Sequence, residues 1–280
     1  MPYLRLDGVR LYYEEAGVRT APAVVMIHGA SQDTLSWHDV IDRFASQYRV
    51  LAVDLPGHGK SALIAGRPTT MTEEFAGIVL RFLAASEAAR PILVGHSMGA
   101  GIAITVAIRR PDLIRGVVAV CGGAAFRGAT GVSYQPEVLR DVEINPTDWL
   151  ETIFHSVLGR TTPGPRRREM AFDATRCSPY VAYADLIAYT TFNLNETIGQ
   201  VKTPVYYIVG EDDWSTTPGM ARATSQRLAA LGVATDCTEL KGIGHIPHWE
   251  QPGAFGDALE RVFARFDAPQ VAPAPQTEVI

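Results

Sequence analysis

Cysteine is scarce, and its scarcity is informative. Cys121, Cys177 and Cys237 are the only three in 280 residues, an odd number with wide spacing. A disulfide framework needs even, clustered sets, so this chain is expected to rely on its core, in a reducing cytoplasm. The three thiols read as small buried hydrophobes. Long apolar runs are also missing. A bilayer span takes about 20 such residues, whereas Gly116 to Cys121 is strand-sized, so no membrane span is expected. The stretch Met1 to Asp7 shows no basic segment ahead of an apolar one, so no signal peptide is expected. No basic excess exists either: 25 Lys and Arg stand against 30 Asp and Glu, a net charge of -5. That argues against a nucleic-acid partner. There are no internal repeats.

What is present is an ordinary globular balance, 47% hydrophobic and 20% charged, able to bury a large core. Continuous apolar runs at Ala23–Ile27, Arg49–Val53, Pro91–Val94, Gly116–Val120 and Pro204–Val209 read as strands covered on both faces. Helical patterns near 36–46, 72–86, 98–109, 218–231 and 252–265 separate them. The alternation predicts an α/β fold with a mostly parallel, doubly wound sheet of about eight strands. Tyr3–Leu6 and Val9–Glu15 flank Asp7-Gly8, a hairpin signal, so the sheet should start antiparallel.

The alternation fails once, over residues 124–200, where aromatics such as Tyr134, Trp149, Phe154 and Phe172 are interrupted by Pro136, Pro146, Pro163 and Pro179. This predicts an inserted helical cap between core segments 1–123 and 201–267. It would leave the carboxyl end of a strand, where open α/β sheets bind ligands. Residues 268–280 hold three prolines and no periodicity, and read as a disordered tail.

Gly95-His96-Ser97-Met98-Gly99 follows one predicted strand and precedes a helix. In that setting G-x-S-x-G holds a serine on a strained turn, exposed at the head of a helix whose amides favour negative charge. With His28-Gly29-Ala30, the loop Asp54-Leu55-Pro56-Gly57-His58-Gly59-Lys60-Ser61, and Gly244-His245, the sequence resembles the α/β-hydrolase family over nearly its full length outside the insertion and tail.

The resemblance implies a triad of Ser97 as nucleophile, Asp213 as orienting acid and His245 as general base. Asp213 is chosen from Gly210-Glu211-Asp212-Asp213 on the family's G-x-x-D pattern, with Asp212 and then Glu211 behind it. His248 is a second histidine candidate. It also implies an oxyanion hole from the Ala30 and Met98 amides, no cofactor and no metal. His28 reads as a loop brace. Trp37, Trp149 and Trp214 are guessed pocket walls, equally suited to plain core.

Three other motifs fail. Gly59-Lys60-Ser61 lacks the earlier glycine of a P-loop, because Asp54 stands there. Gly57-x-Gly59 opens no clean helix. His245-x-x-His248 has no third zinc ligand in sequence. Arg166-Arg167-Arg168 reads as a solvated helix face. A serine nucleophile favours hydrolysis of a small apolar or aromatic ester, thioester or lactone over the aspartate chemistry of dehalogenases and epoxide hydrolases. Carbon–carbon hydrolysis of vinylogous diketones, slow-turnover ligand sensing and perhydrolase activity remain alternatives. The expected partner is a small-molecule substrate. Monomer and homodimer are equally open.

Overall fold

A computed structural model describes residues 3–125 and 143–267 of the chain. Tyr134, Pro136 and the proposed tail, 268–280, lie outside the described residues. Eight strands form one sheet: β1 (Tyr3–Leu6), β2 (Val9–Ala16), β3 (Ala23–Ile27), β4 (Arg49–Val53), β5 (Ile92–His96), β6 (Gly116–Val120), β7 (Val205–Gly210) and β8 (Thr235–Leu240). Their order is β1-β2-β4-β3-β5-β6-β7-β8, antiparallel across β1, β2 and β4 and parallel from there on. The opening hairpin turns on Asp7 and Gly8, both at positive φ (48° and 84°), the geometry that its two-residue turn demands.

Strands β3, β4, β5, β6 and β7 are buried at every position, as their unbroken apolar runs require. Each Val, Ile or Leu so enclosed contributes about 1.5–3 kcal/mol. β5 runs two residues beyond the predicted Val94, to His96, which carries the chain to Ser97 at the carboxyl edge of the sheet. The covering helices are α1 (His38–Phe44), α2 (Thr72–Ala85), α3 (Met98–Arg109), α7 (Pro218–Ala230), α8 (Pro247–Glu250) and α9 (Pro252–Asp267). α3 is buried from Met98 to Ala107, so it is the central helix of the core and cannot shift without repacking it.

Among the described residues, α4 (Pro146–Val157), α5 (Gly164–Ala174) and α6 (Pro179–Thr190) stand between β6 and β7. Each has a proline in its first turn, where the missing N–H costs nothing. Pro146, Pro163 and Pro179, which interrupt the sheet pattern, therefore sit where helices start. Phe154, Val157, Met170 and Ala174 of the insertion form a second apolar cluster with Ile246 of the loop after β8 and Trp249 of α8. The insertion is thus packed onto the carboxyl edge of the sheet.

Candidate active site

Ser97 is the N-cap of α3 with φ 51° and ψ -115°, a conformation that costs a serine strain. The turn is enforced on both sides. Ser97 donates its amide to Val120 O at 2.8 Å. A Cβ on Gly95 would run into the Gly99 carbonyl, and one on Gly99 into the carbonyls of Ile27 and His28. Only glycine permits backbone at that separation.

Asp213 lies just beyond β7, and His245 lies between β8 and α8. Ser97 Oγ–H donates to His245 Nε2 at 2.9 Å, and His245 Nδ1–H donates to Asp213 Oδ2 at 2.8 Å. A carboxylate can only accept, so Asp213 selects the tautomer that leaves Nε2 free to accept the serine proton. Its other oxygen accepts from the Ser215 and Thr216 amides at 2.8 and 2.9 Å, which locks the carboxylate in place. Asp213 is buried (2% exposed) and His245 nearly so (8%), hence the relay is shielded from water. Neither rival acid reaches the imidazole: Asp212 and Glu211 both pair with Arg160.

The loop that carries His245 is held by residues that sequence reasoning missed. Glu250, buried in α8, accepts from the Gly244 and Ile246 amides on either side of His245 (3.0 and 2.9 Å) and from Gly159 of the insertion (2.8 Å). His245 N donates to Val157 O at the end of α4 (2.9 Å). His96 Nε2–H donates to His245 O at 2.7 Å. Gln32 accepts from the Gly29 amide at 3.0 Å and lies 3.0 Å from His96 Nδ1. The sequence signals were slight: Glu250 stands four residues after Ile246, and Gln32 three after Gly29.

A cleft of about 60 Å³ opens beside Ser97 and His245. Ala30, Trp149, Leu150, Ile153, Phe154 and Trp214 are among its walls. Trp214 also donates its indole N–H to Ser156 O at 2.9 Å. A smaller space of about 20 Å³ lies on the other side of Ser97, against Met98, Gly122, Gly123 and Phe192. Among the described residues, neither the Ala30 nor the Met98 amide has a protein acceptor. A larger, more polar cavity of about 300 Å³ adjoins the cleft through Ser31, Gln32 and Phe154.

Trp37 is a correction to the sequence expectation. It is fully buried, stacked at 4.0 Å on His248 and packed against Phe255, away from the cleft. Its flanking apolar positions on α1 made it core. His248 likewise sits under the site, its two ring nitrogens without partners among the described residues. The Arg166 to Arg168 run is partly engaged: Arg166 pairs with Asp39 at 2.8 Å, and Arg167 donates to the His155 and Gly159 carbonyls. His28 braces its loop as expected, donating from Nδ1 to Gly29 O (2.8 Å) and accepting at Nε2 from Leu55 N (3.0 Å).

Cys121, Asp213 and His245 bring potential metal-ligand atoms within 4.8 Å of one another. The donor set suits a proton relay better. Burial, with the Asp213 charge adding to it, holds the Cys121 thiol well above its ordinary pKa, while a soft metal site needs a thiolate. Both His245 nitrogens are already committed to Asp213 and Ser97.

The buried imidazoles predict a pH dependence of stability. Burial holds His28, His96 and His248 well below their ordinary pKa, and neighbouring histidines add to this. Unfolded, each binds a proton near pH 6.5, and folded it does not. Their stabilisation is therefore full above about pH 6.5 and lost as the pH falls below it, by about 1.4 kcal/mol per pH unit for each ring. His58 has the opposite sign. Burial works against its charge, but the Asp185 carboxylate overrides this and raises its pKa. Its contribution is complete below the unfolded value and is lost only as the pH rises through the folded one. Calorimetry from pH 8 to 5 should show Tm falling steadily below about pH 6.5; a level Tm across that range would contradict the assignment of three neutral rings.

The sequence profile of the alpha/beta hydrolase family matches residues 24–258. The chain is similar to the enol-lactonase of Burkholderia xenovorans LB400, with TM-score 0.82 and 22% identity over 94% of this chain and 100% of that one. It is also similar to a thermophilic esterase of Thermogutta terrifontis, with TM-score 0.82 and 18% identity over 96% and 98% of the two chains. At these identities the likeness concerns the fold. A 116-residue stretch is 38% identical to the dihydrolipoyllysine-residue acetyltransferase component of the acetoin cleaving system of Cupriavidus necator, covering 41% of this chain and 30% of that protein. The next two curated relatives are likewise matched over less than half of their own length. With the sheet order, the strained serine turn and the family profile in agreement, the chain belongs to the alpha/beta hydrolase family.

Proposed function

We propose that the protein is a serine hydrolase acting on a small apolar or aromatic ester, thioester or lactone through an acyl-Ser97 intermediate. The observation that carries this reading is the hydrogen-bonded line from Ser97 Oγ through His245 to Asp213, at 2.9 and 2.8 Å. His245 Nε2 takes the serine proton as Oγ adds to the carbonyl carbon, and Asp213 stabilises the imidazolium that forms. The Ala30 and Met98 amides receive the oxyanion. The imidazolium then protonates the leaving alcohol, thiol or ring oxygen. Water, deprotonated by the same imidazole, releases the acid and restores Ser97.

The walls support the proposed substrate class. The cleft under helix α4 is apolar and aromatic, which favours a flat or branched apolar group, and the space beside Met98 admits only a small one. The insertion would serve as the cap that excludes water. The test is a panel of aryl acetates, aryl thioacetates, lactones and a vinylogous diketone given to purified protein. Ester, thioester or lactone hydrolysis is expected. Turnover of the diketone alone would replace this reading with carbon–carbon hydrolysis. Trp149→Ala should raise KM for aryl esters about tenfold with kcat within about threefold, because it removes apolar contact made equally in the ground and transition states. An unchanged KM would place the aryl group elsewhere.

A further inference from the structure

The loop that supplies the proposed Ala30 donor is held by a residue from the insertion. The peptide plane bearing the Ala30 N–H also bears Gly29 O, which accepts from His28 Nδ1 at 2.8 Å and Gln32 N at 3.3 Å. The next plane donates the Ser31 amide to Asp185 Oδ2 on α6 at 2.7 Å, across 154 residues of sequence. Ser31 has φ +57°, the left-handed region that a serine enters at a cost. The Ser31 amide tethers the Gly29–Gln32 turn that carries Ala30, and releasing it would relieve that strain and free the turn to shift the Ala30 amide with it. The Asp185 contact is what opposes that release.

Asp185 is itself fixed. It is 1% exposed, and the same Oδ2 accepts from His58 Nε2 at 2.8 Å. The other His58 nitrogen lies 3.2 Å from Pro56 O, so both ring nitrogens face oxygen acceptors, an arrangement that favours the protonated ring. Asp185 Oδ1 has no partner among the described residues. A buried carboxylate with both donors on one oxygen is costly unless those two contacts matter.

We propose that Asp185 is a positioning residue for the oxyanion hole: held by His58, it keeps the Ser31 peptide in its strained orientation and thereby aims the Ala30 amide at the reacting carbonyl. The inference rests on the serine-hydrolase reading above. It makes the hole complete only while α6 is docked on the core.

The test compares wild type, Asp185→Ala, Asp185→Asn and the double variant Asp185→Ala with Ser31→Gly on an ester that the wild type turns over in a Ser97-dependent way. Misaiming one donor costs about 10- to 100-fold. Asp185→Ala should lose that much in kcat with KM within about threefold, and should bind an arylboronic acid, which forms a tetrahedral adduct on Ser97, weaker by a similar factor. Asp185→Asn keeps an acceptor for Ser31 and should recover most of the loss. Ser31→Gly, free of strain at positive φ, should raise kcat of the Asp185→Ala background at least about fivefold. If the alanine variant does not fold, Asp185→Asn with and without Ser31→Gly, together with boronate affinity, carries the comparison. Asp185→Asn near wild type in both readouts then supports the proposal, and a loss that Ser31→Gly fails to relieve overturns it. Unchanged kcat in Asp185→Ala, or equal losses in the asparagine and alanine variants with no relief by Ser31→Gly, also overturns it while leaving the hydrolase reading intact. Absence of Ser97-dependent turnover in wild type overturns both.

Discussion

Ser97→Ala is expected to lower kcat for the best ester by at least about 10³-fold, and by as much as about 10⁶. In the proposed mechanism the side chain removed carries the attacking oxygen, and among the described residues no second nucleophile stands in its place. Cys121 is buried and held protonated. Cys177 lines the neighbouring polar cavity, and burial raises its pKa as well. The substitution is small and the turn geometry is set by Gly95, Gly99 and the Ser97 amide, so the variant should fold. KM should change little, because Oγ contributes mainly to the transition state. Equal rates in the two proteins would remove Ser97 as nucleophile and the proposed mechanism with it.

Asp213→Asn should cost about 10⁴-fold in kcat while leaving the fold intact. The asparagine can still accept from the Ser215 and Thr216 amides, so the loop stays in place. Turned that way, it presents N–H₂ to His245 Nδ1 where a carboxylate stood. The imidazole must then carry its proton on Nε2, facing Ser97 Oγ, where it cannot accept. Asp212→Asn is the control. Asp212 pairs with Arg160 and accepts its amide at 2.8 Å, remote from the imidazole, so kcat should stay within about threefold. A reversed outcome, with Asp212 essential and Asp213 dispensable, would exchange the two assignments.

Much of the core was legible because its signals are local. Five apolar runs became buried strands, three of them (Ala23–Ile27, Arg49–Val53 and Gly116–Val120) with the boundaries read from sequence. Asp7-Gly8 dictated the antiparallel start, since few other residue pairs accept two consecutive positive φ values. The insertion was legible mainly as an interruption. Its described helices carry prolines at or beside their first turns, which read equally well as breaks until packing decides between a stop and a start.

The tryptophans mark the limit. Trp37, Trp149 and Trp214 looked alike in sequence, yet one is sealed beneath α8 and two face the cleft. A large aromatic side chain satisfies a core and a pocket by the same burial, so composition cannot separate them.

The sequence by itself determined the order of the elements, the strained turn at Ser97 and the short stretches that hold the acid and the histidine. These depend on periodicity, glycine and motif spacing, all of which act over a few residues. The resemblance already pointed to Asp213, and the tertiary structure brings it to His245; the tertiary structure alone decided that Glu250 clamps the loop around that histidine and that Asp185 reaches Ser31 across 154 positions. Those contacts join segments distant in the chain, and a buried polar group finds its partner only when packing removes the water that would otherwise serve.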